Sequence, residues 1–315
     1  MAFTACKGQD LRETLSPETM RELRARAADM AFHGGIAFEA LRGEERLTLF
    51  GTLHLTDRGL FVPEEIAARV EVADLLLVEV PSEVMAEFER TLAANPALLF
   101  DVAGPGLKSR LTADEWENLR GALSVLDVEP DVGDRMWPWV VSLMLAQSPC
   151  EMAATLAGAK TLDERVEELA RAAGVAVSGL DEDPEELLSF FSDLSEEEQL
   201  DLLRLSLALF ALADGYHVTL VSAWNDEEIA LVWELTRAHA VALHADAASA
   251  EVWMNRVWEI LVEARNRNWM TTILEKSREA QDVVLAVGAL HLPGEDGLLR
   301  LLERDGFTIR RLRVF

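Results

Sequence analysis

Two histidines and one glutamate carry the strongest chemical signal in this 315-residue sequence. His54 lies in LTLFGTLHL, residues 47–55, and His291 lies in VVLAVGALHL, residues 283–292. Glu79 stands in ADLLLVEV, residues 73–80, an apolar run in which a carboxylate is costly to bury without a partner. Two imidazoles and a carboxylate that converge form a common ligand set for a divalent metal, with coordination positions left open for water. Such an ion polarises a carbonyl and lowers the pKa of its bound water. Taken singly, a histidine at a strand end is more often a hydrogen-bonded structural residue than a ligand. The duplicated context and the nearby glutamate are what turn the reading toward metal.

A second cluster, Arg265-Asn266-Arg267-Asn268-Trp269, precedes the His291 strand. On a helix Arg265 shares a face with Asn268 and with Trp269. This face reads either as a substrate-binding guanidinium with an amide donor beside it or as a solvated helix surface. Asp57 and Arg58, just after His54, are placed for substrate or for support of a ligand. Asp163 reads as a favourable first-turn acid of another helix. His33 and His217 stand alone, and His239 and His244, five apart, point to different sides of a helix. No H-E-x-x-H, G-x-S-x-G, phosphate-binding loop or dinucleotide fingerprint is present.

The elements that must position these residues can be read from periodicity. The apolar runs 47–53, 73–80, 175–180, 283–290 and 307–314 are continuous rather than alternating, as expected of strands buried on both faces. Ser16-Pro17-Glu18, Thr112 with Glu115 and Ser195 with Glu198 mark helix starts. Gly174 and Gly306 mark helix ends. The two histidine segments also echo each other: strand, Gly-x-Leu-His-Leu, helix (63–72 and 297–305), strand. In each, a glycine permits close approach and a histidine emerges three residues later at the strand's carboxyl end, where open α/β sheets place their ligands. The expected fold is α/β: a compact mixed sheet formed from both ends of the chain and flanked by helices. Residues 94–278 form a mainly helical insertion within a single domain spanning 1–315.

Composition bounds the partners. With 29 basic against 56 acidic side chains, a net charge of −27, the chain lacks the clustered cations that bind nucleic acid or anionic membranes. No apolar run is long enough to span a bilayer as a helix. Oligomeric state is not legible. Residues 1–10 lack a basic, then apolar, secretory leader. The protein is therefore cytoplasmic if Met1 is native, or periplasmic or secreted if a leader has been removed. Cys6 and Cys150 read either as two inert thiols or, in an oxidising compartment, as a disulfide that staples the terminus.

At this point the residues resemble a known family. Gly51-Thr52-Leu53-His54, then Ala73-Asp74-Leu75 with Glu79, then Arg265 to Trp269, then Val287 to Leu292 with Gly294, Gly297 and Gly306, look like the TraB/GumN family, related to the Tiki metalloproteases. The likeness runs from about Ala37 onward, and the segment from Cys6 to Cys150 looks like the exported bacterial branch. The resemblance implies a metal-dependent hydrolase fold with His54, Glu79 and His291 at its centre as metal ligands. Arg265 and Asn266 stand beside them, with Glu79, Arg265 and Asn266 taking catalytic roles. The Tiki relatives cleave peptide bonds with manganese or cobalt, so the expected cofactor is divalent manganese, cobalt or zinc and the expected substrate a peptide or small molecule. Two departures stand out. Gly288-Ala289-Leu290-His291 has leucine where the family has a second glycine, and Leu180-Asp181 replaces a Leu-Glu pair. A non-catalytic protein that holds a metal, haem or peptide in the same cleft is the competing reading, and histidines that merely brace the sheet are a third.

Overall fold

The computed structural model describes residues 6–181, 183–244 and 246–314, with the backbone alone for 184–187; the compartment argument from Met1 to Ala5 lies outside the described residues. Six strands form one sheet: β1 Ala37–Arg42, β2 Glu45–Thr52, β3 Leu75–Val78, β4 Ala176–Gly179, β5 Asp282–Gly288 and β6 Thr308–Arg311. Their order is β4-β3-β5-β2-β1-β6. β4, β3, β5 and β2 run parallel, and β1 pairs antiparallel with both β2 and β6. The fold is α/β, with a mixed sheet drawn from both ends of the chain. Between β3 and β5 the described chain is helical except for short turns, an isolated bridge between Phe100 and Met136, and β4.

Continuous apolarity has the predicted cause. Successive side chains on a strand point to opposite faces, and both faces of β5 are covered. Val284 and Ala286 pack with Ile66, Val70, Val166 and Trp224 on one side. Val283, Leu285 and Val287 pack with Trp269, Ile273, Leu298 and Leu302 on the other. The first side is covered by the helices Glu64–Val72 and Leu162–Ala173, the second by Ala264–Glu279 and Leu298–Arg304.

Helix boundaries follow their caps. Ser16 Oγ accepts from the Thr19 amide, and Thr112/Glu115 and Ser195/Glu198 form reciprocal capping boxes. Gly174, at φ +79°, ends the Leu162–Ala173 helix in the left-handed conformation that glycine adopts without strain.

Strand ends and one whole strand differ from expectation. Each expected run ends one to three residues early, because the chain turns off the ladder once the next strand no longer pairs; after Gly288 it winds into a 3-10 turn, Ala289–His291. β1, AFEALR, is absent from the sequence reading because Glu39 interrupts its apolar run. Glu39 is nevertheless buried, at 3.0 Å from Arg69 and 2.6 Å from Arg310. Burial pushes its carboxyl up, but the hydrogen bond from Arg69 and the charges of Arg310 and Arg69 bring it below the usual value.

The two histidine segments lie side by side in β2 and β5, yet out of step. Gly51 faces Val287 and Thr52 faces Gly288, a one-residue offset. Gly51 is pressed against the turn that carries His291: a Cβ there would lie 2.9 Å from Ala289 Cα. Its carbonyl also accepts from Trp224 Nε1 at 2.8 Å. Gly51→Ala should therefore lower the unfolding free energy by about 1–3 kcal/mol, measured by urea denaturation. An unchanged midpoint would mean that the Ala289 turn yields freely.

A candidate metal centre at the carboxyl edge of the sheet

β3, β5 and β2 are adjacent and parallel, so their carboxyl ends share one edge. Glu79 follows β3, Gly288 ends β5, and His54 follows β2 by two residues. Gly288, on the middle strand, carries no side chain. Glu79 and His54 can therefore reach toward each other across it. A Cβ at Gly288 would lie 3.1 Å from Glu79 Oε1 and 3.5 Å from His54 Nε2. The Gly288 amide instead donates to Glu79 Oε1 at 2.6 Å.

Both imidazoles turn Nε2 inward. His54 Nε2 and His291 Nε2 each stand 3.6 Å from the same atom, Glu79 Oε1. Each Nδ1 is anchored from behind. His54 Nδ1 bonds Asp163 Oδ2 at 3.0 Å, and Thr52 donates its hydroxyl to the other oxygen of that carboxylate. His291 Nδ1 bonds Asn266 Oδ1 at 2.7 Å. The Asn266 amide nitrogen donates to the His291 and Asp296 carbonyls, at 3.2 and 2.9 Å, which sets which way the amide faces. An Nδ1 held from behind by a carboxylate or carbonyl turns Nε2 toward the position of a cation, the usual support of a ligating histidine.

Sequence echo and environment part here. His54 is 62% exposed at the cleft, whereas His291 is only 4% exposed. The charge of Asp163, with a further contribution from Glu79, overcomes desolvation and raises the His54 pKa well above 6.5. Burial pushes His291 down to about 4. Burial alone would raise Glu79, but the neighbouring histidines and Arg265 hold its carboxyl well below its usual value.

Arg265 closes the site. Its Nη2 donates to Glu79 Oε2 at 2.5 Å and to Asp181 Oδ2 at 2.6 Å, and its Nη1 lies 3.3 Å from His291 Nε2. The guanidinium sits 4.6 Å over Trp269, whose indole donates to Asp181 Oδ1 at 2.6 Å. Asp181, the shortened member of the expected Leu-Glu pair, is long enough to meet both.

Among the expected site residues, His54, Glu79, His291, Arg265 and Asn266 come together. Asn266 is fully buried behind His291 and holds that ring through its Nδ1. Asp57 pairs with His217 Nε2 at 3.0 Å, and Arg58 is exposed. Asn268 is exposed and lines a separate cavity of about 480 Å³ that Arg265 and Asp181 also border. The main cleft, about 770 Å³, runs from His54, Glu79 and Arg265 past Met85 to Glu151 and His217.

Asp163, read from the sequence as a first-turn helix acid, proves to be the partner of His54 Nδ1. A signal existed: Thr161 and Glu164 already form the capping box of the Leu162–Ala173 helix, which frees the Asp163 carboxylate for another partner.

The family described as TraB/PrgY/gumN matches residues 36–311, and the chain belongs to it. No curated protein and no solved structure matches the chain significantly.

Two-dimensional NMR of the metal-free protein tests the asymmetry. His54 should stay protonated to well above pH 6.5, and His291 should protonate only near 4. His54 thus contributes stability below 6.5 that is lost as pH rises through its raised value; His291 removes stability as pH falls from 6.5 toward 4. Asp163→Asn should bring His54 down toward its ordinary value, and two rings titrating together would refute the assignment.

Proposed function

We propose that this member of the TraB/PrgY/gumN family is a metal-dependent hydrolase of peptide bonds, with its divalent manganese, cobalt or zinc held by His54, His291 and Glu79. The observation that carries the reading is the shared target of two inward nitrogens: both Nε2 atoms address one carboxylate oxygen, each with its Nδ1 anchored behind it. The donors fit the group by chemical type. Two imidazoles and a carboxylate suit these ions, and the space between them is kept open by the one residue type with no Cβ. When bound, the ion supplies a Lewis acid and a water acidified toward neutral pH.

The chain's own residues divide the remaining work. A general base works best with a pKa near the operating pH. Glu79, held well below its usual value, suits ligation better than proton abstraction. Arg265 keeps a positive charge at the cleft wall, where it can orient a carbonyl or carboxylate of the substrate. Asp163 and Asn266 position the two rings. The cleft is of a size that holds a few peptide residues or a small molecule, with Val78, Met85 and Leu220 as apolar wall. The Cys6–Cys150 disulfide fits a periplasmic or secreted setting.

One observation favours a second reading, a non-catalytic binding protein on the same cleft. The Arg265 guanidinium lies against both Glu79 and His291, a fixed charge that competes with a cation.

Purification without chelator, metal analysis and turnover on a peptide library separate the readings. The hydrolase reading expects about one equivalent of metal and at least a roughly hundredfold loss of turnover in His54→Ala and Glu79→Gln. Stoichiometric metal with no turnover would leave the binding protein. A protein that takes up no manganese, cobalt or zinc would sink the metal centre altogether.

A further inference from the structure

A second group of donors lies farther along the same cleft. The sulfurs of Cys6 and Cys150 and one ring nitrogen of His217 all fall within 4.8 Å of one another. The two cysteines form a disulfide with Cα atoms 5.5 Å apart. His217, 3% exposed, bonds Asp57 Oδ2 through Nε2 at 3.0 Å. Its Nδ1 is buried with no hydrogen-bond partner. The polar atom it faces is Glu151 Oε2, at 3.5 Å. Glu151 is itself buried and pinned by the Thr56 amide and hydroxyl, at 2.9 and 3.1 Å.

A buried Nδ1 that faces a carboxylate without a hydrogen bond to it leaves a position that a cation between the two groups would satisfy. Asp57 holds Nε2 in the way a supporting carboxylate holds a ligating histidine. Cys150 lies in the first turn of the Pro149–Leu156 helix, with Ser148 Oγ 3.2 Å from its sulfur. Both features favour a thiolate there.

We propose that Cys6, Cys150 and His217 form a second, redox-gated site for a thiophilic divalent cation such as zinc. In the oxidised chain the disulfide occupies the sulfurs. Two equivalents of a small thiol reduce it: the S–S bond breaks, each cysteine leaves as a thiol, and the reductant leaves as its own disulfide. Binding of the cation then releases the two thiol protons, and any proton on His217 Nδ1, to solvent. The site uses none of the His54–Glu79–His291 donors, so it stands or falls separately from the function proposed above.

The test compares the oxidised full-length protein with protein reduced by dithiothreitol and freed of reductant without oxygen. Each is titrated with zinc and with cobalt(II), with circular dichroism as a check on folding. The reduced form should bind about one further equivalent and show a cobalt–thiolate charge-transfer band. The His54→Ala/His291→Ala double variant should retain both. Asp57→Asn should weaken the extra site by about tenfold to a hundredfold, and His217→Ala by at least that much. Equal stoichiometry in the two redox states would overturn the proposal. So would an extra ion without the thiolate band, full affinity in His217→Ala, or loss of the helical signal on reduction. An imidazolium that simply bridges Asp57 and Glu151 predicts the first of these outcomes.

Discussion

The candidate centre depends on an absence of side chain at the end of the middle strand. β5 lies between β2 and β3, so groups leaving those two strands are separated by a whole strand. Neighbouring strands lie about 4.8 Å apart, and any Cβ on β5 at this height would occupy the gap. Gly288 leaves it open and adds its amide to Glu79. The neighbouring glycine, Gly51, acts on the same region differently. It lets the Ala289–His291 turn lie close against β2, which delivers His291 to the same edge. Both motif glycines are explained by space rather than by an unusual backbone angle.

Around that opening, sequence similarity and chemical equivalence separate. The one-residue offset between β2 and β5 sends His54 into an exposed loop and His291 into a buried turn. One ring is backed by a carboxylate and the other by an amide. Their proton affinities consequently diverge, upward for His54 and downward for His291. Arg265 completes the balance of charge: it offsets Glu79 and Asp181 together and is stacked on Trp269, so the burial of three charged groups is compensated within one network.

The cleft joins this centre to the helix that bears Cys150. Thr56, two residues beyond His54, is held by Glu151, the residue after Cys150. The covalent tether of the amino-terminal segment and the loop that carries a metal-ligand candidate are therefore connected through one buried carboxylate. Among the described residues no single helix is long and apolar enough to cross a membrane, and the consecutive helices Glu196–Phe210 and Ala213–Asn225 meet at 76°. The second of these helices supplies His217 to the cleft.

What the sequence determined by itself were the features encoded in short windows. Continuous apolar runs marked five of the six strands, capping residues marked helix starts, and the repeated Gly-x-Leu-His-Leu with Glu79 marked the residues that gather at one edge. β1 escaped because a buried carboxylate is tolerated only with partners from distant segments, Arg69 and Arg310. The partner of Asp163, the pairing of Asp57 with His217 and the placement of His217 beside the two sulfurs were decided by tertiary structure. Each depends on which loop faces which across the folded sheet. Hydrogen bonding and burial are properties of neighbours in space, and separations of 109 and 160 residues leave no periodicity from which such neighbours could be read.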